Sequence, residues 1–402
     1  MTKTQFGFSM LLFVAFLAFI SIGLPDAVLG VAWPSIQDTF GRARADLGFI
    51  LFASGFGYFT SGAFAGKAIE LLGVGRLLAT STAAVSIGLI GYAASPGFWF
   101  LMVVAALIGF GSGAVDAGLN FYAAEHFSVT VMNWLHAFFG IGAMIGPFIM
   151  AGVLAADASW RIGYTIVAGA TFLMAIAFIF TVSSWDDGVH QDHESKSPTA
   201  TVNHVLRQPL VWIQIALFFF MTGIEAAAGA WSFTMLFEKF DMEPGVAGLW
   251  AGFYWGMIAL GRLVLSPLLR SLQPARLIQI GTLGLVVGAA MMTRDQVWIF
   301  QSGLLVFGLA MAPLFPTLMS LTPRRLGSNV SLHAIGFQVS AAVLGGATIP
   351  TLAGILAGRT TLDAIPWTIA VVATIVIALE TLLRDRADGD DKESALVATP
   401  DS

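Results

Sequence analysis

Cysteine is absent from the 402-residue chain, which excludes disulfides and thiolate metal or redox centres. Charge is scarce as well: Asp, Glu, Lys and Arg together supply 11% of the residues, against 57% hydrophobic ones. That is too little polar surface to coat soluble domains, so the composition describes a polytopic helical membrane protein. No stretch alternates polar and apolar residues as the strand of a membrane barrel would. No phosphate-binding loop is present either. The nearest candidate, Ser61–Ala68, has Ser61 in place of the first glycine and Ala68 in place of the hydroxyl residue after Gly66-Lys67, which argues against an ATP-driven pump. Scattered Ser and His residues form no nucleophile-and-base constellation, so an intramembrane hydrolase is disfavoured and no enzyme is expected. The net charge of -5 resides largely in loops and ends such as Asp186–Glu194 and Asp385–Asp401, and nothing in it suggests nucleic acid as a partner.

What the chain does have is apolar runs. About 20 apolar residues cross the hydrocarbon core as a helix, and such runs fall at 7–33, 46–68, 77–95, 98–124, 129–154, 163–183, 209–237, 245–269, 275–293, 297–321, 327–356 and 364–383. The first could pass for a signal peptide, but it continues to Trp33 without a small-residue cleavage site and reads as a span. With the N-terminus inside, thirteen of the nineteen basic residues fall in cytoplasmic segments, Arg262 counted among them. This places both termini in the cytoplasm.

Ser183–Gln208 is the longest polar stretch inside the chain. The expected division is therefore an N-terminal six-helix bundle (1–183), a cytoplasmic linker (184–208), a C-terminal six-helix bundle (209–384) and a tail (385–402). His190, His193 and His204 in the linker are too few and too loosely placed for a metal site, and read as solvated. The two bundles resemble each other at an offset near 200 residues. Gly23-Leu-Pro-Asp26-Ala with Gly30-Val-Ala-Trp33 answers to Gly223-Ile-Glu225-Ala with Gly229-Ala-Trp231. Leu135-His136-Ala137 answers to Leu332-His333-Ala334, and Gly62 to Gly261. Several matches in order at a nearly constant offset indicate a duplicated unit.

Ionisable residues inside these spans are the functional candidates, because burying a charge in lipid is costly and such groups usually face a bundle interior or a water-filled path. In Gly109-Phe-Gly-Ser-Gly-Ala-Val-Asp116-Ala-Gly-Leu-Asn120, Asp116 and Asn120 stand one helical turn apart, while Gly109, Gly113 and Ala117 form a small-residue stripe for close packing. Asp26 and Glu225 occupy matching places in the two halves. A carboxylate facing an aqueous cavity can exchange protons with either side. The same oxygens, with Asn120 and backbone carbonyls, could instead hold sodium, and a purely structural hydrogen bond to a neighbouring helix is the third reading. His136 serves equally as a ligand-facing group or as a satisfied interhelical partner. Gln338 leans towards a cavity. Trp231 follows Glu225 by nearly two turns and leans the same way, its ring suited to the apolar face of a sugar; Trp134 is as well explained by packing or an interfacial belt. Pro313, Pro316 and Pro350 kink helices and free carbonyls.

Two six-helix halves joined by a polar linker resemble the major facilitator superfamily over essentially the whole chain. The resemblance implies twelve transmembrane helices in two pseudo-symmetric bundles, a central cavity, and alternating access by rocking of the halves. More narrowly, Asp116-x-x-x-Asn120, then Asn133-x-x-His136 followed by Gly-Ala, together with Asp26, resemble the fucose permease-like branch. There the resemblance implies an acid that is protonated or binds solute at Asp26 and Asp116, and sugar hydrogen-bond partners at Asn120 and His136. Asp116 and His136 stand where that pattern has Glu and Gln. The loop Gly66-Lys-Ala-Ile-Glu70-Leu-Leu-Gly73-Val-Gly75-Arg76 resembles the superfamily's cytoplasmic gating motif, with Glu70 for the usual Asp and Leu71 for the expected basic residue; Leu269 takes the acid's place before Arg270 in the second half. Lys67 and Arg76 also read as ordinary anchors on the cytoplasmic side.

The expected function is cation-coupled symport, by proton in preference to sodium, of a monosaccharide or similar small polar solute, with no cofactor. The lipid bilayer, that of a bacterial inner membrane, is the expected surrounding, and one chain is expected to form the pathway. The alternative on the same fold is a proton-driven exporter of drugs or lipophilic metabolites.

Overall fold

A computed structural model describes residues 3–185, 202–265 and 272–397. In hydrocarbon every backbone N–H and C=O needs a partner within the chain, and helices supply it; no strand occurs among the described residues. The first half runs through α1 (Lys3–Asp26), α2 (Val28–Phe40), α3 (Leu47–Leu72), α4 (Val74–Ala93), α5 (Phe98–His126), α6 (Val129–Ala155) and α7 (Trp160–Thr181). After the short α8 (Val202–Leu206) come α9 (Pro209–Thr234), α10 (Pro244–Leu260), α11 (Pro274–Met292) and α12 (Val297–Met311). The chain then continues through α13 (Leu314–Leu326), α14 (Ser328–Arg359) and α15 (Ala364–Val397). Eleven helical segments among the described residues are long and apolar enough to cross a membrane. In the place of the eighth crossing stands α10, extended by a π-helical turn, Gly261–Leu265, that reaches the edge of the described residues.

The expected spans coincide with these elements apart from their ends. The first crossing continues seven residues past Trp33 to Phe40, because Trp33 and Ile36 are completely buried and hold the helix beyond Pro34. It stops at Gly41, whose left-handed φ of 60° allows its N–H to turn back onto the last carbonyls. The last helix runs to Val397 rather than ending near 383. Residues 186–201, with His190 and His193, and the segment holding Leu269 and Arg270 lie outside the described residues. Gly73 (φ 75°) and Gly327 (φ 78°) each form a one-residue hinge, between α3 and α4 and between α13 and α14, in a backbone region that only glycine adopts readily.

Several breaks interrupt the helices. Pro25 cannot donate to the carbonyl of Ser21, and the crossing is broken at Ala27, directly after Asp26. The tenth crossing breaks at Ala312-Pro313 between α12 and α13. The π-helical turn after α10 is the third break. All three border the same central space.

The halves meet tightly at one end and separate towards the other. At Gly30 the backbones of α2 and α9 touch: a Cβ there would lie 2.9 Å from the carbonyl oxygens of both Gly229 and Ala230. The Gly30 and Gly229 segments, matched in the sequence, thus face each other across the interface. Along α3 and α14 the gap widens steadily. A Cβ on Gly48 would lie 2.4 Å from Thr351 and one on Gly55 would lie 3.4 Å from Val343, whereas Gly62 and Gly66 meet nothing within 4 Å. Arg44 and Glu238 form an ion pair between the halves over the closed end. Beside it Lys239 pairs with Asp295 at 3.0 Å and with Asp363; Lys239 holds the Asp363 carboxyl below the usual carboxylate range.

Candidate functional site

Between the halves lies a cavity of about 660 Å³, within the usual range for a small-molecule site. Asp26, Asp116 and His136 reach it from the first half, and Glu225, Thr222 and Arg262 from the second. The helix break after Pro25 leaves Asp26 exposed to the cavity. Its carboxylate has no hydrogen-bond donor among the described residues.

Asp116 is held differently. Tyr58 donates to Oδ2 at 2.7 Å and Asn120 donates to Oδ1 at 2.9 Å, so each oxygen carries one side-chain donor. The Asn120 amide also meets the Asp116 carbonyl at 2.9 Å. Asn120 is absent from the cavity wall and acts on it through Asp116, as the one-turn spacing allows. Close packing behind this group depends on Gly113, where a Cβ would lie 2.4 Å from the Ser61 hydroxyl.

His136 packs edge-on against Phe19 with ring centroids 5.3 Å apart. Its backbone carbonyl accepts from Arg262 Nη1 at 3.4 Å, a contact across the two halves. Glu225 is fixed through its backbone: the Tyr254 hydroxyl donates to its carbonyl at 2.9 Å. Pro350 cannot donate to the carbonyl of Gly346, and Gly346 lines the cavity.

Two residues expected at the cavity are placed elsewhere. Trp231 is completely buried between α9 and α14, its indole donating to the carbonyl of Pro350 at 2.9 Å and its ring lying over Gly354. Its two-turn spacing from Glu225 carries it to the packed closed end, where it mirrors the equally buried Trp33. Gln338 is also completely buried; it hydrogen-bonds Gln214 and, at 3.2 Å, Thr322, tying α9, α13 and α14 together. Gly66, Glu70 and Arg76 are exposed, and neither Glu70 nor Arg76 forms an ion pair among the described residues. They lie on the separated side of the molecule, where a latch between the halves has no partner to hold.

Tyr58 and Arg262 are the additions. Tyr58 is a lone phenol in an apolar span, one turn from Ser54, which also lines the cavity. Arg262 falls inside the apolar run 245–269 and does not belong with the cytoplasmic anchors: the π-helical turn directs it into the cavity.

A helical membrane protein with two bundles, a cavity between them that carries carboxylates, a histidine and an arginine, and one closed end is a multi-pass transporter and not an enzyme. The chain belongs to the Major Facilitator Superfamily, whose sequence model matches residues 11–331. It is similar to human Sodium-dependent glucose transporter 1, with 22% identity over 389 residues, covering 85% of this chain and 72% of the relative. Among solved structures, a variant of the nucleoside transporter NupG superposes with a TM-score of 0.76 at 14% identity, covering 93% of this chain and 98% of that one. A variant of the E. coli Fucose:proton symporter, FucP, superposes with a TM-score of 0.63 at 17% identity, covering 94% and 98%. At these identities the superpositions establish a shared fold.

Proposed function

We propose that the protein is a proton-coupled symporter of a monosaccharide, working by alternating access. The observation that carries this reading is the unequal pair of carboxylates in the first half. Asp116 is fixed by Tyr58 and Asn120, while Asp26, its electrostatic neighbour, has no donor of its own. Asp26 is thus the group free to take up and release a proton as access changes, and Asp116 is the fixed charge that attracts it.

Sodium is the alternative driving ion, since Asp26 carries no donor and Asp116 keeps lone pairs that Tyr58 and Asn120 do not use; uptake under each gradient decides between the two. The sugar rests on the charged and hydroxyl groups set in an otherwise largely apolar cavity wall, and on the likeness to a human glucose transporter and a bacterial fucose symporter. With the termini in the cytoplasm of a bacterial cell, the closed end faces outwards and this is the inward-facing state. The two-half arrangement supports one chain as the complete pathway.

The test is uptake of fucose, galactose, glucose and mannose into proteoliposomes under an imposed proton gradient, and separately a sodium gradient. Accumulation driven by the proton gradient and collapsed by a protonophore is expected. Accumulation driven by sodium alone would overturn the choice of ion. No uptake of any sugar by folded protein would favour the exporter.

A further inference from the structure

We propose that Arg262 and Glu225 form the solute-recognition pair of the second half, Arg262 donating hydrogen bonds to solute hydroxyls and Glu225 accepting them. This rests on the symporter reading above and assigns the wall opposite Asp26 and Asp116. Arg262 reaches the cavity because the helix widens there into a π-helical turn, an irregularity that frequently marks functional positions. Gly261 lets the turn pack against the break at Ala312: a Cβ there would lie 2.4 Å from that of Ala312, too close for any side chain.

The guanidinium carries five N–H donors and cannot act as a proton carrier. One long bond, to the His136 carbonyl at 3.4 Å, is its only hydrogen bond among the described residues, and its Nε is buried without an acceptor. A buried donor left unmade is costly, so a ligand oxygen that reaches it is favoured. Glu225 lies on the same wall; it interacts electrostatically with Arg262 without a direct ion pair, and no donor meets its carboxylate among the described residues. Thr222, nearly one turn before it, also lines the cavity with a buried, unpartnered hydroxyl. Arg262 and Glu225 offset each other's charge, which leaves Asp26 and Asp116 as the cavity's uncompensated carboxylates. A donor fork beside an acceptor suits adjacent hydroxyls, as on a pyranose ring.

The test compares wild type, Arg262→Met, Arg262→Lys and Glu225→Gln in proteoliposomes, with D-glucose as probe. Arg262→Met should raise KM by about tenfold, the loss of one charge-assisted hydrogen bond, while the same ion gradient still drives uptake. Arg262→Lys, which keeps the charge without the fork, should recover part of the loss. Glu225→Gln, which keeps shape and one acceptor oxygen, should raise KM with the driving ion unchanged, and it decides the matter if Arg262→Met does not fold. Unchanged KM in the variants beside an active wild type overturns the recognition pair alone. Intact KM with lost accumulation also overturns it and assigns these residues to coupling. A wild type that moves no glucose, or any other hexose, overturns both this assignment and the symporter reading.

Discussion

The ion pair between Arg44 and Glu238 joins the two halves over the closed end, and Glu238→Gln removes its charge while keeping its shape. The side chains are 32% and 22% exposed, so the pair belongs at the upper end of the range for surface ion pairs, about 1 kcal/mol. That corresponds to a shift of about fivefold in the ratio of open to closed states. The shift should be partial, since the backbone packing at Gly30 and the Gly48–Thr351 contact remain. The absence of cysteine makes a clean assay possible. Spin labels on Asp38→Cys and Glu243→Cys, both exposed near this end, report the distance between the halves by double electron–electron resonance. The ratio of the longer-distance to the shorter-distance population should grow about fivefold in the variant. Raising salt to about 1 M, where screening acts within about 3 Å, should move the wild type in the same direction. Identical distance distributions would refute the claim that this pair holds the closed end.

Two further outcomes concern stability. Gln338→Leu should lower thermal stability by about 1 kcal/mol, because it leaves the buried Gln214 oxygen with Thr322 as its remaining partner; an unchanged melting temperature in detergent would show that the cluster carries no load. For Asp363, the folded carboxyl is held below its ordinary range by Lys239. Its stabilisation is therefore fully present above the unfolded carboxylate range and fades as pH falls through the folded value. Because the Asp363 side chain is 46% exposed, the effect is screened and small. Asp363→Asn should cost slightly at neutral pH and nothing in strong acid, which paired melting curves at the two pH values would show.

Much of this was readable beforehand because lipid imposes simple rules. Apolar length located the crossings, and the cost of charge in lipid singled out Asp26, Asp116 and Glu225, which line one cavity together with His136. The same reasoning misplaced Arg262, since counting basic residues as cytoplasmic anchors ignores a helix whose turn widens. A π-helical turn leaves no mark in apolar periodicity. Trp231 and Gln338 show the opposite limit. Their polar atoms are satisfied by the Pro350 carbonyl and by Gln214 and Thr322, on other helices more than one hundred residues distant or on an adjacent one. Which face of an all-apolar helix meets the cavity is decided by packing that no single span encodes. The Gly66–Arg76 loop, for its part, lies where the halves are apart, so a gating contact there would belong to a different state from the one seen.

In the proposed symport the first-half carboxylates couple ion movement to solute movement. The most direct measurement compares Asp116→Asn with wild type in the same proteoliposomes, following both sugar accumulation under a proton gradient and sugar exchange with no gradient. The variant should lose accumulation and retain exchange, because the cavity survives while the fixed charge beside Asp26 is gone. Accumulation at the wild-type level would contradict it and return Asp116 to a structural hydrogen bond between α3 and α5.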